Sequence, residues 1–528
     1  MSENRDCSPT DNTQTAPSCR QSTNQAPALS RKILFPMRRR LPDRPNPEQI
    51  SVVRSPTLFV TRVLSLALLL TSTLAPAQSP DLLLQHVTVI SMTGASPRKN
   101  LDVLIHAGHI QKIATHIAAP ADARVIPAGG KFLIPGLWDM HVHVWNADFA
   151  FPLFIANGVT GVRNMGGHPE DLTRWRGELK SGKRLGPELI ACGPLVDGPP
   201  PVHADHSVVV TNASDARAAV DRLKSEGWDF IKVYDNAPRD AYFAIAQESK
   251  KEGIPFVGHV PVSVTALEAS DAGQKSIEHF EGVDYALSAS GDQLRRERLA
   301  RIGKPPEPGE MMKLPMRIAS ELNQLGATYD ESLAKNLFAH FMRNGTWQTP
   351  TLSVKRVYAS IGNDAMYRDA RQKYVAPEDR EDWAHNPIVH IDIPEYLAAR
   401  KRAFDEAERI TREAHTAGVR FLAGTDSGGV PYLYYGSSLH EELALLVASG
   451  FTPMQAIQAA THDAAEVLGL RDAGTIQLGK RADLVLLTAD PLTDIHNTEK
   501  IDSVIIAGKL LDRTRLDALL VSAERAPK

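Results

Sequence analysis

At 528 residues the chain is too long for one small domain and fits a large barrel with an accessory domain. Hydrophobic side chains make up 43% and charged ones 23%, which excludes wholesale disorder and collagen-like repeats. A formal charge of −3 gives no basic excess for nucleic acid. Three cysteines without a CxxC spacing give neither a disulfide framework nor a thiolate metal site.

The first 77 residues stand apart. Residues 1–53 are rich in Ser, Asn, Gln, Pro and Arg and carry no apolar periodicity. Arg54 and Arg62 then precede an apolar core, residues 63–74, which closes on Ala75-Pro76-Ala77 before Gln78. A positive flank, a short apolar run and an A-x-A end predict a secretory signal peptide cut near Ala77; a buried helix is the alternative. The run is shorter than the roughly 20 apolar residues of a comfortable span, so no stable membrane anchor is expected. The expected product is exported and periplasmic, with Met37 or a codon nearer Val52 as alternative starts to Met1. Cys7 and Cys19 leave with the leader, so Cys192 has no partner for an internal disulfide.

Three zones follow. Residues 78–132 hold short alternating runs such as His86-Val87-Thr88-Val89-Ile90, bounded by Gly and Pro, which predict strands. Residues 471–528 return to that pattern in Ala482–Leu487 and Ser503–Lys509. The two ends are expected to meet as one small β-sandwich domain. Between them, residues 133–470 alternate short apolar runs with helical segments, which predicts βαβ units and a parallel sheet. Eight strand candidates occur: Leu137–Val144, Val159–Met165, Glu188–Gly193, Phe230–Tyr234, Phe256–Val260, Ser276–Phe280, Trp347–Leu352 and Arg420–Ser427. Eight closes a (β/α)8 TIM barrel, so the fold class is α/β. Two long stretches, 281–345 and 353–419, predict extra helices over the barrel mouth.

The chemistry sits at the carboxyl ends of these strands. His141 and His143 share one face of the first strand, two imidazoles that suit a divalent metal; an incidental pair is the plain alternative. Lys232 lies in an apolar strand, where a cation is costly unless paired or neutralised. His259, His279 and Asp426 end the fifth, sixth and eighth strands. Each has a dull reading as a satisfied core or capping residue, but together they occupy one face of one barrel.

The order His141-x-His143, Lys232, His259, His279, Asp426 resembles the amidohydrolase superfamily in its binuclear form. Leu133-Ile134-Pro135-Gly136 and Gly479-Lys480-Arg481-Ala482-Asp483 carry the same likeness, which covers roughly residues 82–515. The Ile231-Lys232-Val233-Tyr234 strand is similar to the imidazolonepropionase-like branch, with its metal-dependent dipeptidases, prolidase-type enzymes and ochratoxin-cleaving amidases. Asn164 and Asp463 depart from residues usual in relatives. The resemblance implies two divalent ions, preferably Zn²⁺, with Lys232 carboxylated by CO₂ as the bridging ligand. His141, His143 and Asp426 would hold one ion, and His259 and His279 the other. A metal-bridging hydroxide would attack an amide carbon, with Asp426 as general base and then acid. Tyr234, on the inward face two residues past Lys232, is a candidate for catalysis and substrate contact.

Trp145 continues the inward alternation past His143, and with His206 and His440 completes the candidate substrate residues. The plain readings are a solvated loop residue for His206 and for its neighbour His203, and a helix-cap neighbour for His440. The implied partner is a small amide or peptide, a dipeptide or N-acyl amino acid. Hydrolysis of a cyclic amide or lactone, and metal binding without turnover, are the alternatives. Barrels of this family often pair as homo-oligomers.

Overall fold

The computed structural model of the chain describes residues 80–304 and 309–525. The expected signal peptide, with its apolar core, lies outside the described residues. Residue 82 opens the first strand.

Both chain ends contribute to one β sheet. Leu82–Val89, Arg98–His106, His109–Ala114, Arg124–Pro127 and Phe132–Pro135 come from the first end. Leu484–Leu487, Ile501–Ile506 and Lys509–Asp512 come from the other. The seam is antiparallel, with Leu133 opposite Leu486 and Ile134 opposite Val485. Alternation along the strand divides the work. Leu133, Leu484 and Leu486 pack with Leu84 inside the sheet's own core, while Ile134, Val485 and Leu487 pack into the barrel core. The β domain expected from the two ends forms here, hydrogen-bonded as one eight-stranded sheet around its own core. Phe132–Pro135 is part of it, and the last described element is a helix, Arg513–Arg525, that packs on the first barrel helix, Ala147–Ala156.

Parallel pairing runs round the barrel. Leu137–Val142 pairs with Val159–Asn164, and that strand with Glu188–Ala191. The third stave then bends and continues as Leu195–Asp197 beside Ile231–Val233. Phe256–Gly258, Ser276–Glu278 and Trp347–Thr349 follow in order. The eighth stave, 420–427, differs from the regular strand expected. It carries single bridges at Phe421 and Ser427. Ring closure rests on individual bonds: Leu422 N–H donates to Gln348 O (2.9 Å), Met140 N–H to Ala423 O (2.9 Å) and His143 N–H to Ser427 O (2.8 Å). The first strand is itself irregular on its other edge, where its register against the second strand shifts between Asp139 and Val142.

The long insertions are helical. Val283–Ala286, Gly291–Leu299, Glu310–Ala327 and Glu331–Asn344 follow the sixth strand. Leu352–Ala359 and the 24-residue helix Pro394–Ala417 follow the seventh.

Candidate active site

A buried ion pair forms the floor. Arg163, on the second strand, donates from Nη2 to both oxygens of Glu278 (2.9 and 3.0 Å), and from Nε to Met140 O (2.6 Å). Burial opposes ionisation of Glu278, but Arg163 and Lys232 outweigh it and hold the carboxyl below its usual range. Glu278 in turn accepts His141 Nδ1–H at 2.9 Å. Asp139 joins the first and eighth staves by accepting Thr425 N–H (3.0 Å) and Thr425 Oγ1–H (2.7 Å), and burial pushes its carboxyl up to about 7.

Each of the four histidines has its Nδ1 engaged by the protein. His143 Nδ1 donates to Gly166 O (3.3 Å) and His259 Nδ1 to Asp235 Oδ1 (2.6 Å). His279 Nδ1 lies 2.6 Å from Thr351 Oγ1, whose own proton goes to Pro350 O, so the imidazole is the donor. Fixing Nδ1–H this way leaves every Nε2 with a free lone pair, the arrangement seen in metal-ligating histidines. His141 and His279 rings are 4.4 Å apart, His259 and His279 5.0 Å, and His141 and His143 5.5 Å. Burial pulls the imidazoles of His141 and His279 well below their usual pKa and keeps them neutral.

Asp426 Oδ1 lies 3.3 Å from His143 Nε2 and 3.5 Å from His141 Nε2. One ligand atom each from His141, His279 and Asp426 falls within 4.8 Å of the others. His141 therefore neighbours ligands of both expected ion sets. Lys232 is fully buried, and burial pushes its amine down to about 8. Three buried atoms here have no hydrogen-bond partner: His141 Nε2, Lys232 Nζ and Asp426 Oδ1. Leaving such atoms unpaired costs about 1–3 kcal/mol each. A divalent cation between His141 and Asp426 would remove that cost for both, so the His/Asp cluster fits a metal site.

The backbone is bent to make this geometry. His279 (φ 61°), Thr351 (φ 45°) and Asp426 (φ 62°) all occupy the left-handed region, which is uncommon for non-glycine residues and concentrates at functional sites. Gly258 supplies close approach: a Cβ there would stand 2.3 Å from Val233 O and 2.9 Å from Lys232 Cδ.

At the mouth, Tyr234 stacks on His259 with ring centroids 4.2 Å apart, and its hydroxyl lies 3.1 Å from His203 Nε2. Burial first, and nearby carboxylates second, push the phenol well above its usual range, so it stays protonated. Trp145 stacks beside His143 and donates Nε1–H to Gly428 O (2.7 Å). His206 meets the Trp145 ring edge-on and is buried, and His203 is half-buried against it. The solvated reading of this histidine pair is therefore corrected: the Pro-rich loop folds into the mouth. His440 is also corrected. Its nitrogens are taken by Thr498 Oγ1 (2.9 Å) and Asn157 O (3.0 Å), which leaves nothing for a substrate. Asn164 ties the second strand to the His143 segment by accepting Val144 N–H at 2.7 Å.

Sequence reasoning missed Arg163, Glu278, Asp235 and Thr351. Arg163 and Glu278 carry the same signal as Lys232, a charge inside an apolar strand. Asp235 and Thr351 follow their strands and carry no such signal.

Comparison with known proteins agrees with this arrangement. The solved bottromycin amidohydrolase superposes with a TM-score of 0.64 at 25% identity, covering 84% of this chain and 90% of that one. A Xaa-Pro dipeptidase shares the fold, with a TM-score of 0.58 at 21% identity over 82% of this chain and all of that chain. A dihydroorotase from Geotalea daltonii is 50% identical over 46 residues, 9% of this chain and only 11% of that relative's length. The amidohydrolase family profile matches residues 132–511. Spanning both the barrel and the seam of the β sheet, that match places the chain in the amidohydrolase family.

Proposed function

We propose that the protein is an exported, two-ion hydrolase that cleaves an amide C–N bond in a dipeptide or N-acyl amino acid. The observation that carries this reading is Lys232, a fully buried amine without a hydrogen-bond partner, set among four histidines and Asp426. With its amine pushed down to about 8, a useful fraction is neutral near pH 7 and reacts with CO₂. A bond forms from Nζ to the carbon and one proton leaves, which turns a costly buried cation into an oxygen ligand. His141, His143 and Asp426 would hold one ion and His259 and His279 the second, with the Lys232 carbamate reaching both. The imidazole-rich set favours Zn²⁺. When bound, such a pair acidifies a shared water and polarises the scissile carbonyl.

The chain's own groups do the rest. Asp426 takes the proton of the water that attacks the carbonyl carbon and returns it to the departing nitrogen. Tyr234, kept protonated by burial and held by His203, donates to the carbonyl oxygen as negative charge builds there. Trp145 and His206 wall the mouth.

Residues 78–528, loaded with zinc and bicarbonate, are the material for the test. A panel of dipeptides and N-acyl amino acids is followed by mass spectrometry with a chelator control. Chelator-sensitive cleavage is expected. No cleavage with two ions bound would sink the peptide reading and direct the search to lactones and cyclic amides. Recovery of the mature protein with Gln78 at its N-terminus is the expected result for export.

A further inference from the structure

The charge network behind His259 reaches well beyond the barrel. Asp235 presents Oδ1 to His259 Nδ1, and its other oxygen, Oδ2, accepts Arg298 Nη2–H at 3.3 Å. Arg298 comes from the last turn of Gly291–Leu299, a helix of the insertion and not of the barrel. Its Nη1 donates to Glu281 Oε1 (2.9 Å), two residues past His279, and reaches Tyr285 Oη at 3.5 Å. Tyr285 in turn donates to Glu321 on the neighbouring insertion helix Glu310–Ala327. One turn before Arg298, Arg295 pins the same helix face to Val262 O (2.9 Å), in the loop after the fifth strand.

We propose that Arg298 is the positioning residue of the second ion site, the one held by His259 and His279. The proposal rests on the two-ion reading above. Two carboxylates stand behind that site, Asp235 and Glu281, and one guanidinium is shared between them. Its planar fork fixes the rotamer of Asp235, so that Oδ1 stays on the His259 ring and that ring stays turned toward its neighbours. The first ion set has an arginine of its own, Arg163 behind Glu278 and His141, but that arginine belongs to a barrel strand, and His143 leans on the Gly166 carbonyl. The insertion thereby contributes to one ion site of the pair through the Arg298 guanidinium itself, and leaves the other ion to the barrel.

Full-length protein and the variants Arg298→Met, Arg298→Lys and Arg295→Met are dialysed against zinc buffers of stepped free concentration, and bound zinc is counted by mass spectrometry. Thermal midpoints of the metal-free forms are measured in parallel. Wild type is expected to hold two ions. Arg298→Met is expected to keep one with unchanged affinity and to bind the other about 10- to 100-fold more weakly, in line with loss of an outer-sphere partner. Arg298→Lys, which restores the charge without the fork, is expected to fall between. Arg295→Met loosens the helix without touching Asp235 and is expected to retain both ions. Two ions at wild-type affinity in Arg298→Met would overturn the inference while leaving the two-ion reading intact. Equal loss in Arg295→Met and Arg298→Met would also overturn it, by showing that helix docking alone is responsible. Fewer than two ions in wild type would overturn both.

Discussion

In the proposed mechanism Asp426 combines two tasks in one carboxylate. Its Oδ1 lies within 3.5 Å of two imidazole nitrogens and has no hydrogen bond, so it is available both to an ion and to a proton. Asp426→Asn keeps an oxygen donor but loses the base. It is expected to lower kcat by about 10²–10⁴-fold while both ions remain bound by elemental analysis. Turnover within tenfold of wild type would remove Asp426 from proton transfer. Residue by residue, legibility followed cost. Lys232 stood out in the sequence because a lone charge in an apolar strand demands a reason. Arg163 and Glu278 neutralise each other, and that mutual satisfaction becomes visible only when their strands are brought side by side. His440 misled because it follows the eighth stave closely in sequence, yet one helical turn aims it at Asn157 and Thr498.

At the scale of elements, the site depends on how closely the fourth and fifth strands approach. Gly258 has φ 126°, and an added methyl would press on the Val233 carbonyl and on the Lys232 stem together. Backbone on one side and the buried Lys232 stem on the other leave little room to yield. Gly258→Ala is expected to cost about 1–3 kcal/mol in chemical unfolding and to reduce bound metal as Lys232 shifts. A stability loss with full metal content would separate the strand contact from the ligand position. The eighth stave teaches a related lesson. Its apolar run reads as a strand in the sequence, but it pairs with both neighbours only through isolated bridges, and Asp426 turns left-handed at its end. Pairing is a property of two strands, so neither run alone reveals it.

For the whole molecule, pH couples the site to folding. His141, His279 and His203 have imidazoles pulled below the usual 6.5, His203 to about 4, chiefly by burial. The folded state then binds fewer protons than the unfolded state between pH 6.5 and 4. Stability from this source is present above 6.5 and is lost as the pH falls. Asp139 and Glu442, both pushed up to about 7 by burial, act in the opposite sense: the stability they contribute is present below about pH 4 and is lost as the pH rises to 7. A difference measurement isolates the first effect. Metal-free His203→Gln is expected to lose less stability than wild type between pH 6.5 and 4.5 in urea titrations. Parallel curves would mean that His203 does not change its proton affinity on folding. The sequence by itself determined the barrel and the meeting of the two ends in a β sheet, and it named His141, His143, Lys232, His259, His279 and Asp426 as one candidate set. Periodicity and isolated charges are properties of a single strand and can be read along it. Only the tertiary structure decided that Glu278, Asp235 and Thr351 aim the imidazoles, that the 199–206 loop folds into the mouth, and that Arg298 reaches the site from an insertion. Those are contacts between segments far apart in the chain, fixed by which staves lie side by side and by the space left between them.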